Sequence, residues 1–242
     1  MLVIDIETGP RPLAEIEKFM PPFDGEVGDF DPAAVKLGNC KDPDKVAEKI
    51  NAARAAHEAA RAGVDAARAA HVAKFFDKSA LSPITGQVLA IGVKYGPTQS
   101  EHFIECQNAI TTETELIAAT WQKLSTIPPD WLPIVGYNIF GFDLPFLVRR
   151  SWMLDIDPPS FIRAGRYWAP QFVDLMDVWS FGSREFNSLD TIARAFGLAS
   201  KPEGINGSDF ARLFATDKPA AIEYLKNDLS LTWQVATKLQ VA

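Results

Sequence analysis

Two acidic residues lie close together at the start of the chain, where their spacing could bring both carboxylates to one cation. The first segment, MLVIDIETGP, is a β-branched run that ends at Gly9 and Pro10, which predicts a strand. Asp5 and Glu7 are two residues apart on it, so both side chains point to the same face. Burying two carboxylates costs free energy unless a cation pairs with them. The pattern therefore indicates either a cation site or two acids that face water at a strand end.

Another acid follows WLPIVGYN, a segment that predicts a second buried strand. In IVGYNIFGFDLPFLVRRSW, Asp143 lies where this strand passes into a helix predicted from about Leu144 to Trp152. An aspartate at such a junction either caps the helix, which stabilises it by about 1 kcal/mol, or holds a metal ion. Asn138 and Phe142 precede it, and their side chains are suited to contact a sugar–phosphate backbone and a base.

The last predicted helix, DKPAAIEYLKNDLSLTWQVATKL, carries a third acidic position. Tyr224 and Asp228 are four residues apart, so their side chains share one face, one turn apart. Ile222, Leu225 and Leu229 form the neighbouring apolar stripe, which predicts that the helix packs against a sheet. Taken singly, the tyrosine is explained as a half-buried ring with a wet hydroxyl, and the aspartate as a solvated acid.

Composition limits both the kind of metal and the class of protein. The net charge of −7 argues against general electrostatic attraction to nucleic acid, although a local basic groove stays open. Three histidines and two separate cysteines are too few for a zinc site, so a metal here would be a hard ion held by carboxylates. Lone cysteines fit a reducing, cytoplasmic setting, and we expect no membrane-spanning segment. The sequence contains no P-loop, Rossmann glycine fingerprint or nucleophile elbow.

The order of predicted elements indicates an α/β fold. After the first strand and an insertion, GQVLAIGVKY and SEHFIEC predict two strands joined by a turn at Gly96 and Pro97. TTETELIAATWQKL predicts an amphipathic helix capped by Thr111 or Thr112, and WLPIVGYN predicts a strand. The rest predicts mostly helices, including a short one in SLDTIARAFGL and the last one, which Asp217 caps. This order predicts an antiparallel hairpin attached to a partly parallel sheet. We expect one domain over residues 1–242, with residues 24–80 as a loop and long helix inserted within it.

The inserted helix is predicted from the alanine-rich stretch KDPDKVAEKINAARAAHEAARAGVDAARAAHVAKFF, with Asp42 as its N-cap. Arg54, Arg61 and Arg68 recur every seven residues and form one basic stripe. This stripe is either a solvated face with weak ion pairs to the acids between the arginines, or part of an arm that guides a nucleic-acid strand towards the site or holds a partner. The small alanines also allow close packing on another helix, as a helical hairpin or in self-association.

In chain order, the three acidic motifs resemble the three exonuclease motifs of the DEDD superfamily, the DnaQ-like 3′–5′ exonucleases. Asp-x-Glu, Asn-x-x-x-Phe-Asp and Tyr-x-x-x-Asp match the tyrosine variant, whereas the histidine variant would need histidine where this chain has Glu223. YNIFGFDLPFL and SLDTIARAFGL are similar to the proofreading exonuclease domain of family B DNA polymerases. The resemblance covers residues 1–10 and 81–242, and the alanine-rich helix departs from it.

This resemblance implies a ribonuclease H-like mixed sheet flanked by helices, and a metal-dependent enzyme that removes nucleotides from the 3′ end of single-stranded DNA by two-metal-ion hydrolysis. It implies that two divalent cations, Mg²⁺ or Mn²⁺, are held by Asp5, Glu7, Asp143 and Asp228. Tyr224 would orient the attacking water. For the substrate strand we expect contacts from Thr8, Asn138, Phe142, Arg149 and Arg150. The basic, aromatic-rich segment DPPSFIRAGRYWAPQ is either part of a single-strand groove or a folded loop with surface arginines and core aromatic residues.

Two other functions stay open at this point. An RNA-trimming exoribonuclease is one, because nothing in the sequence visibly reads a 2′-hydroxyl. A nucleic-acid-binding or scaffold module with a degenerate nuclease core is the other, although the retained acids and tyrosine argue against it. No polymerase segment accompanies the motifs, so either proofreading occurs in trans with a DNA polymerase or replication partner, or proofreading is not the role of this protein.

Overall fold

The computed structural model of the chain describes residues 1–98, 102–128, 131–162, 171–198 and 207–241. Two compact units are present, one made of Met1–Pro12 with Ser79–Ala242 and the other of Leu13–Lys78. The insertion expected at residues 24–80 therefore falls largely within the second unit, which begins earlier, at Leu13. The predicted single-strand groove falls mostly on residues 163–170, which lie outside the described part of the chain.

Five strands of the described residues form one mixed sheet in the first unit, in the order β3-β2-β1-β4-β5. They are β1 (Leu2–Pro10), β2 (Gly86–Lys94), β3 (His102–Cys106), β4 (Ile134–Gly136) and β5 (Phe172–Asp174). The β1–β2 and β2–β3 pairs are antiparallel, whereas β1–β4 and β4–β5 are parallel. β1, β4 and β5 therefore run in the same direction, and their carboxyl ends lie on the same side of the sheet. This confirms the predicted α/β sheet with its hairpin, but β5 was not predicted.

Helices cover both faces of this sheet. The helices on one face are α4 (Glu113–Ser125) and α5 (Asp143–Met153). The helices on the other face are α6 (Leu175–Ser180), α7 (Leu189–Ala195), α8 (Phe210–Thr216) and α9 (Lys218–Lys238). The second unit contains α1 (Leu13–Ile16), α2 (Pro43–Ala62) and most of α3 (Val64–Ser79). No helix among the described residues combines the length and apolarity that crossing a membrane requires.

The helix starts follow the predicted capping residues. Thr112 begins α4 with a capping box, in which its hydroxyl and the Glu115 carboxylate each bind the other residue's backbone N–H. The Asp217 carboxylate accepts from the Ala220 N–H at the start of α9, and Asp42 does the same for α2. These caps satisfy backbone donors that have no partner within the helix.

Alternate side chains of β1 face two different hydrophobic cores, and this alternation decides to which side the acids point. Leu2, Ile4 and Ile6 belong to the core that contains α4 and α5, whereas Val3 belongs to the core that contains α9. Residues two apart on a strand share a face. Asp5 and Glu7 have the parity of Val3, so they point to the face that α9 covers.

Gly92 allows α9 to approach the sheet closely at this point. It is the cross-strand partner of Asp5 in the β1–β2 register. A Cβ atom on Gly92 would lie 2.6 Å from Cδ1 of Leu229 and 3.1 Å from Cγ of Leu225, both on α9. Because Gly92 has no side chain, these leucines occupy that space, and Asp228, the neighbour of Leu229, is carried towards β1.

The inserted alanine-rich segment forms two helices rather than the one predicted. α2 ends at Ala62 and α3 begins at Val64, with Gly63 between them. The Gly63 N–H donates to Ala60 O at 3.1 Å, and Gly63 O accepts from Ala67 N–H at 3.0 Å. Glycine is the weakest ordinary helix former, which explains why the break falls here in a run of alanines.

Residues 21–37, here called the strap, run along these two helices. His71 Nε2 lies 2.9 Å from Pro21 O, and His57 Nε2 lies 2.8 Å from Gly28 O. Seven residues of strap therefore match fourteen residues of helix. An extended chain rises about 3.1 Å per residue and an α-helix about 1.5 Å, so both spans are about 21 Å.

The strap also contacts the basic stripe. Arg54 lies 4.9 Å from the Phe30 ring, Arg61 Nη1 lies 3.3 Å from Asp29 Oδ1, and Arg68 lies 5.4 Å from the Phe23 ring and pairs with Glu26. All three arginines thus interact with residues that precede the helix in sequence. The sequence predicts ion pairs within the helix or contacts with nucleic acid for this stripe, and it does not predict partners in the strap.

Candidate metal centre

Three carboxylates from two elements meet at the carboxyl-terminal part of β1. Ligand atoms of Asp5, Glu7 and Asp228 all lie within 4.8 Å of one another. Glu7 and Asp228 are buried and Asp5 is half-buried. The first two residues come from alternate positions of the strand, and the third from the face of α9 that packs over Gly92. The structure therefore brings together the first and third of the predicted acidic motifs.

Asp143 adds a fourth carboxylate through a contact with the same strand. It is the first residue of α5 and is buried, and its Oδ1 accepts a hydrogen bond of 3.1 Å from the backbone N–H of Ile6. Ile6 stands between Asp5 and Glu7. The N-cap position belongs to Phe142, whose side chain has no hydrogen-bond acceptor. Asp143 therefore does not act as the helix cap, which was one of the two explanations considered for it.

The electrostatics of the cluster oppose full ionisation without a cation. Burial, and then the nearby charge of Asp5, raise the pKa of Asp143 well above the ordinary aspartate value, although the Ile6 N–H lowers it. Carboxylates placed this close together repel one another. All the donors are oxygen atoms of Asp and Glu, the donor type that Mg²⁺ and Mn²⁺ prefer. The residues present thus fit a hard divalent cation.

Backbone hydrogen bonds hold the turn that carries the second motif. Asn138 has φ of 58°, in the left-handed region, and its backbone carbonyl accepts from the N–H groups of Gly141 and Phe142 at 3.0 and 2.9 Å. A Cβ atom on Gly141 would lie 2.2 Å from Oδ1 of Asn138, so a side chain at this position would displace the Asn138 amide. The Phe142 ring lies 5.4 Å from that of Phe146.

Asp174, at the end of β5, is a buried residue of this region that the sequence analysis missed. Its carboxylate accepts from the backbone N–H groups of Asn138, Phe140 and Met176 at 2.8, 3.0 and 2.9 Å. Burial raises the pKa of Asp174, while these three donors lower it. An acid that directly follows an apolar strand was the available signal, but QFVD is too short to be recognised as a strand.

Tyr224 lies one turn before Asp228 on α9 and is buried. Its ring centroid is 6.2 Å from that of Phe210. A Cβ atom on Gly207 would lie 3.9 Å from the phenolic oxygen, so that oxygen borders a position without a side chain. The predicted pairing of a tyrosine and an aspartate on one helical face is therefore present.

The residues expected to contact a substrate strand differ in their surroundings. The Thr8 hydroxyl donates to Ala80 O at 2.8 Å, and Arg149 is exposed on α5. Arg150 is buried and makes a bidentate ion pair with Glu113, with Nε–Oε1 and Nη2–Oε2 distances of 2.9 and 2.6 Å. Its Nη1 also donates to Pro83 O at 3.1 Å. The guanidinium of Arg150 is thus already occupied inside the protein.

Comparisons with known proteins agree with this geometry. A family model described as a predicted 3′–5′ exonuclease related to the exonuclease domain of PolB matches residues 86–242. Among solved structures, the chain is similar to the family B DNA polymerase from the hyperthermophilic archaeon Pyrobaculum calidifontis, with 21% identity and a TM-score of 0.53 over 68% of this chain. The similar region is 23% of the polymerase chain, and at this identity the likeness shows the fold. No curated protein matches the chain.

The family match confirms the resemblance predicted from the motifs. It includes the second and third acidic motifs but begins at Gly86, after β1. The first acidic motif, on β1, lies outside the match. In the structure, the β1–β2 pairing and the Asp143–Ile6 hydrogen bond bring Asp5 and Glu7 to the matched region.

Proposed function

Because the chain belongs to the family of predicted 3′–5′ exonucleases related to the exonuclease domain of PolB, we propose that it is a metal-dependent enzyme that removes nucleotides from the 3′ end of single-stranded DNA. The observation that supports this proposal is the convergence of acids. Ligand atoms of Asp5, Glu7 and Asp228 lie within 4.8 Å of one another, and Asp143 binds the strand between the first two.

In the proposed mechanism, the four acids hold two divalent cations, Mg²⁺ or Mn²⁺. When bound, such cations lower the pKa of an attacking water and stabilise the attacking and leaving oxygens of an in-line displacement at phosphorus. Tyr224, one turn from Asp228 and with its ring 6.2 Å from that of Phe210, orients that water through its hydroxyl. A phenol can both donate and accept a hydrogen bond, which suits it to orientation.

Contacts with the strand come from residues around the second motif. Phe142 stacks on a terminal base, and Asn138 and the backbone around Thr8 contact sugar and phosphate. Arg149, exposed on α5, is the proposed phosphate contact from that helix. Arg150 is left out, because its guanidinium binds Glu113 and Pro83. We further propose that the enzyme works in the cytoplasm, alone or with a DNA polymerase or replication partner in trans.

The experiment that tests the function is a digestion of 5′-labelled single-stranded DNA and RNA of the same sequence. With Mg²⁺ or Mn²⁺, we expect DNA to shorten from the 3′ end as a ladder of products, and chelator to stop the reaction. A strand whose last linkages are phosphorothioates serves as the control for direction, because it should resist digestion. Faster digestion of RNA would favour the RNA-trimming alternative. Binding of either strand without any cleavage would favour the degenerate binding module.

Tyr224→Phe should give a slow enzyme rather than an inactive one. The ring and its contact with Phe210 are retained, so only the water-orienting hydroxyl is lost. We expect turnover to fall by about 10–100-fold, the usual effect of removing a group that acts on a metal site from its outer shell. Metal affinity, measured by calorimetric titration with Mn²⁺, should stay at the wild-type level. A variant that no longer binds metal would contradict the assigned role.

Replacement of Leu13–Lys78 by a short Gly-Ser linker should leave the first unit folded. The neighbouring segments are held together within that unit by hydrogen bonds from Thr8 to Ala80 and from Arg11 to Thr85, at 2.8 and 2.9 Å. We expect the shortened protein to degrade very short oligonucleotides at the wild-type rate. If the alanine-rich helices guide a strand, the affinity of the shortened protein for longer strands should fall. If they self-associate, its mass in light scattering should fall to that of the monomer. If both stay unchanged, neither role belongs to the insertion.

A further inference from the structure

Asp174 uses its buried carboxylate to hold backbone. It ends β5 and stands opposite Gly136, the last residue of β4, in the parallel β4–β5 register. Its Oδ1 accepts from the N–H groups of Asn138 and Met176 at 2.8 and 2.9 Å, and its Oδ2 accepts from the Phe140 N–H at 3.0 Å. Asp174 is only 3% exposed, so little water competes for these bonds.

Two of these bonds hold the turn at a residue with a left-handed backbone. Asn138 has φ of 58°, a conformation that few residues other than glycine adopt and that asparagine adopts more readily than most. Asp174 binds the N–H of that residue and the N–H two residues later. A shift of this carboxylate would therefore change the direction in which the chain leaves β4.

The turn passes into α5 through a continuous set of backbone hydrogen bonds. The carbonyl of Asn138 accepts from Phe142, and that of Ile139 accepts from Leu144, at 2.9 and 3.0 Å. Asp143 lies between these two donors, and its Oδ1 binds the N–H of Ile6 at 3.1 Å. A connected path thus runs from Asp174, through the turn, to the carboxylate of Asp143, which binds the strand between Asp5 and Glu7.

We propose that Asp174 is a positioning residue of the exonuclease site, which sets the place of Asp143 and Asn138 through the backbone of the turn; this inference rests on the proposed function. Asp174 does not touch substrate or metal in this role. It acts as a rigid three-point acceptor, which a carboxylate with two oxygens can provide and an amide cannot.

Asp174→Asn is the sharpest variant because it keeps the shape and removes one acceptor. In either orientation of the amide, its NH₂ group faces at least one backbone N–H that Asp174 now binds. We expect kcat on single-stranded DNA and affinity for Mn²⁺ each to fall by about 10–100-fold, as for other outer-shell residues, with KM changed less than about threefold. Hydrogen exchange should rise in the peptide covering residues 138–144.

Asp177→Asn is the matched control, since it removes the same charge three residues later at an exposed position of α6. It should keep wild-type kcat, Mn²⁺ affinity and exchange. If Asp174→Asn also keeps all three at a wild-type melting temperature, the proposal is overturned. If that variant does not fold, Asp174→Glu retains both oxygens in a displaced position, and normal Mn²⁺ affinity and exchange in it would overturn the proposal equally.

Failure of this inference is distinguishable from failure of the proposed function. If wild-type protein cleaves neither DNA nor RNA, the exonuclease proposal fails, while exchange at residues 138–144 and Mn²⁺ affinity still test Asp174. If the wild type cleaves DNA and Asp174→Asn does so with equal kcat and metal affinity, only the positioning role is wrong.

Discussion

Asp143→Asn is expected to abolish nucleolysis while stabilising the metal-free protein. The amide oxygen can still accept from the Ile6 N–H, so the local geometry should survive. The lost charge removes a metal ligand, and a bound metal contributes several kcal/mol to the transition state. At 1.36 kcal/mol for each factor of ten, we expect activity to fall by about 10³-fold or more. Asp5→Asn should likewise lose nucleolytic activity and stabilise the metal-free protein.

The stability gain follows from the raised pKa of Asp143. Burial and the charge of Asp5 make the ionised side chain unfavourable in the folded protein. A group of this kind stabilises the fold fully below its unfolded pKa, about 3.9 for aspartate, and loses that contribution as pH rises through the folded value. Asparagine does not titrate. The advantage of Asp143→Asn should therefore be small in acid, grow as pH rises, and level off above the folded pKa.

Thermal unfolding with and without Mn²⁺, over a range of pH, measures both effects. We expect the metal-free variant to gain about 0.5–2 kcal/mol near neutral pH, which is about 2–4 °C of melting temperature per kcal/mol. Mn²⁺ should raise the melting temperature of the wild type much more than that of the variant. Asp177→Asn is again the charge-matched control. Wild-type digestion by Asp143→Asn, or equal stabilisation of both proteins by Mn²⁺, would end the metal-site assignment.

The sequence was most informative where local chemistry decides structure. The alternating apolar residues of MLVIDIETGP fixed both the strand and the common face of Asp5 and Glu7. Capping residues such as Thr112 and Asp217 marked helix starts correctly, because the cap satisfies donors in its own first turn. The meeting of Asp228 with β1 is non-local, and only the family motif order predicted it.

What the sequence analysis missed depends on contacts between distant segments. β5 is three residues long, so its pairing with β4 decides its conformation more than its own pattern does. Asp174 could not be assigned without that strand. Likewise, the partners of Arg61 and Arg68 lie in the strap, more than thirty residues away. The alanine-rich sequence predicted a helix correctly, yet it carried no sign of the segment that covers its basic stripe.

Arg150 was assigned to substrate binding with Arg149 because both are basic and adjacent, although helical periodicity separates them. Arg150 lies three residues after buried Leu147 and four after buried Phe146, so it shares their inward face, whereas Arg149 points to solvent. A buried arginine needs a buried acid. Glu113 supplies it from the start of α4, and its Oε1 also accepts from the Val88 N–H of β2 at 2.8 Å.

Arg150→Met should therefore destabilise the fold strongly. The side chains of Arg150 and Glu113 are only 4% and 10% exposed, so removing the cation leaves a buried carboxylate without its partner. Breaking such a pair costs about 3–5 kcal/mol, and replacing both members by neutral groups costs much less. We expect urea unfolding to show that the free energy of unfolding of Arg150→Met is lower by that amount. The double variant with Glu113→Gln should regain a large part of the lost stability.

Arg149→Met is the matched control, one residue away and exposed. It should unfold like the wild type, since surface substitutions usually change stability by less than about 0.5 kcal/mol, and should instead weaken binding of single-stranded DNA, with a reduced dependence on salt. The reverse pattern, a stable Arg150→Met protein with weakened DNA binding, would return Arg150 to the substrate site. The two neighbouring arginines would then have separate roles: Arg150 links α4 and α5 to the sheet, and Arg149 contacts nucleic acid in the proposed function.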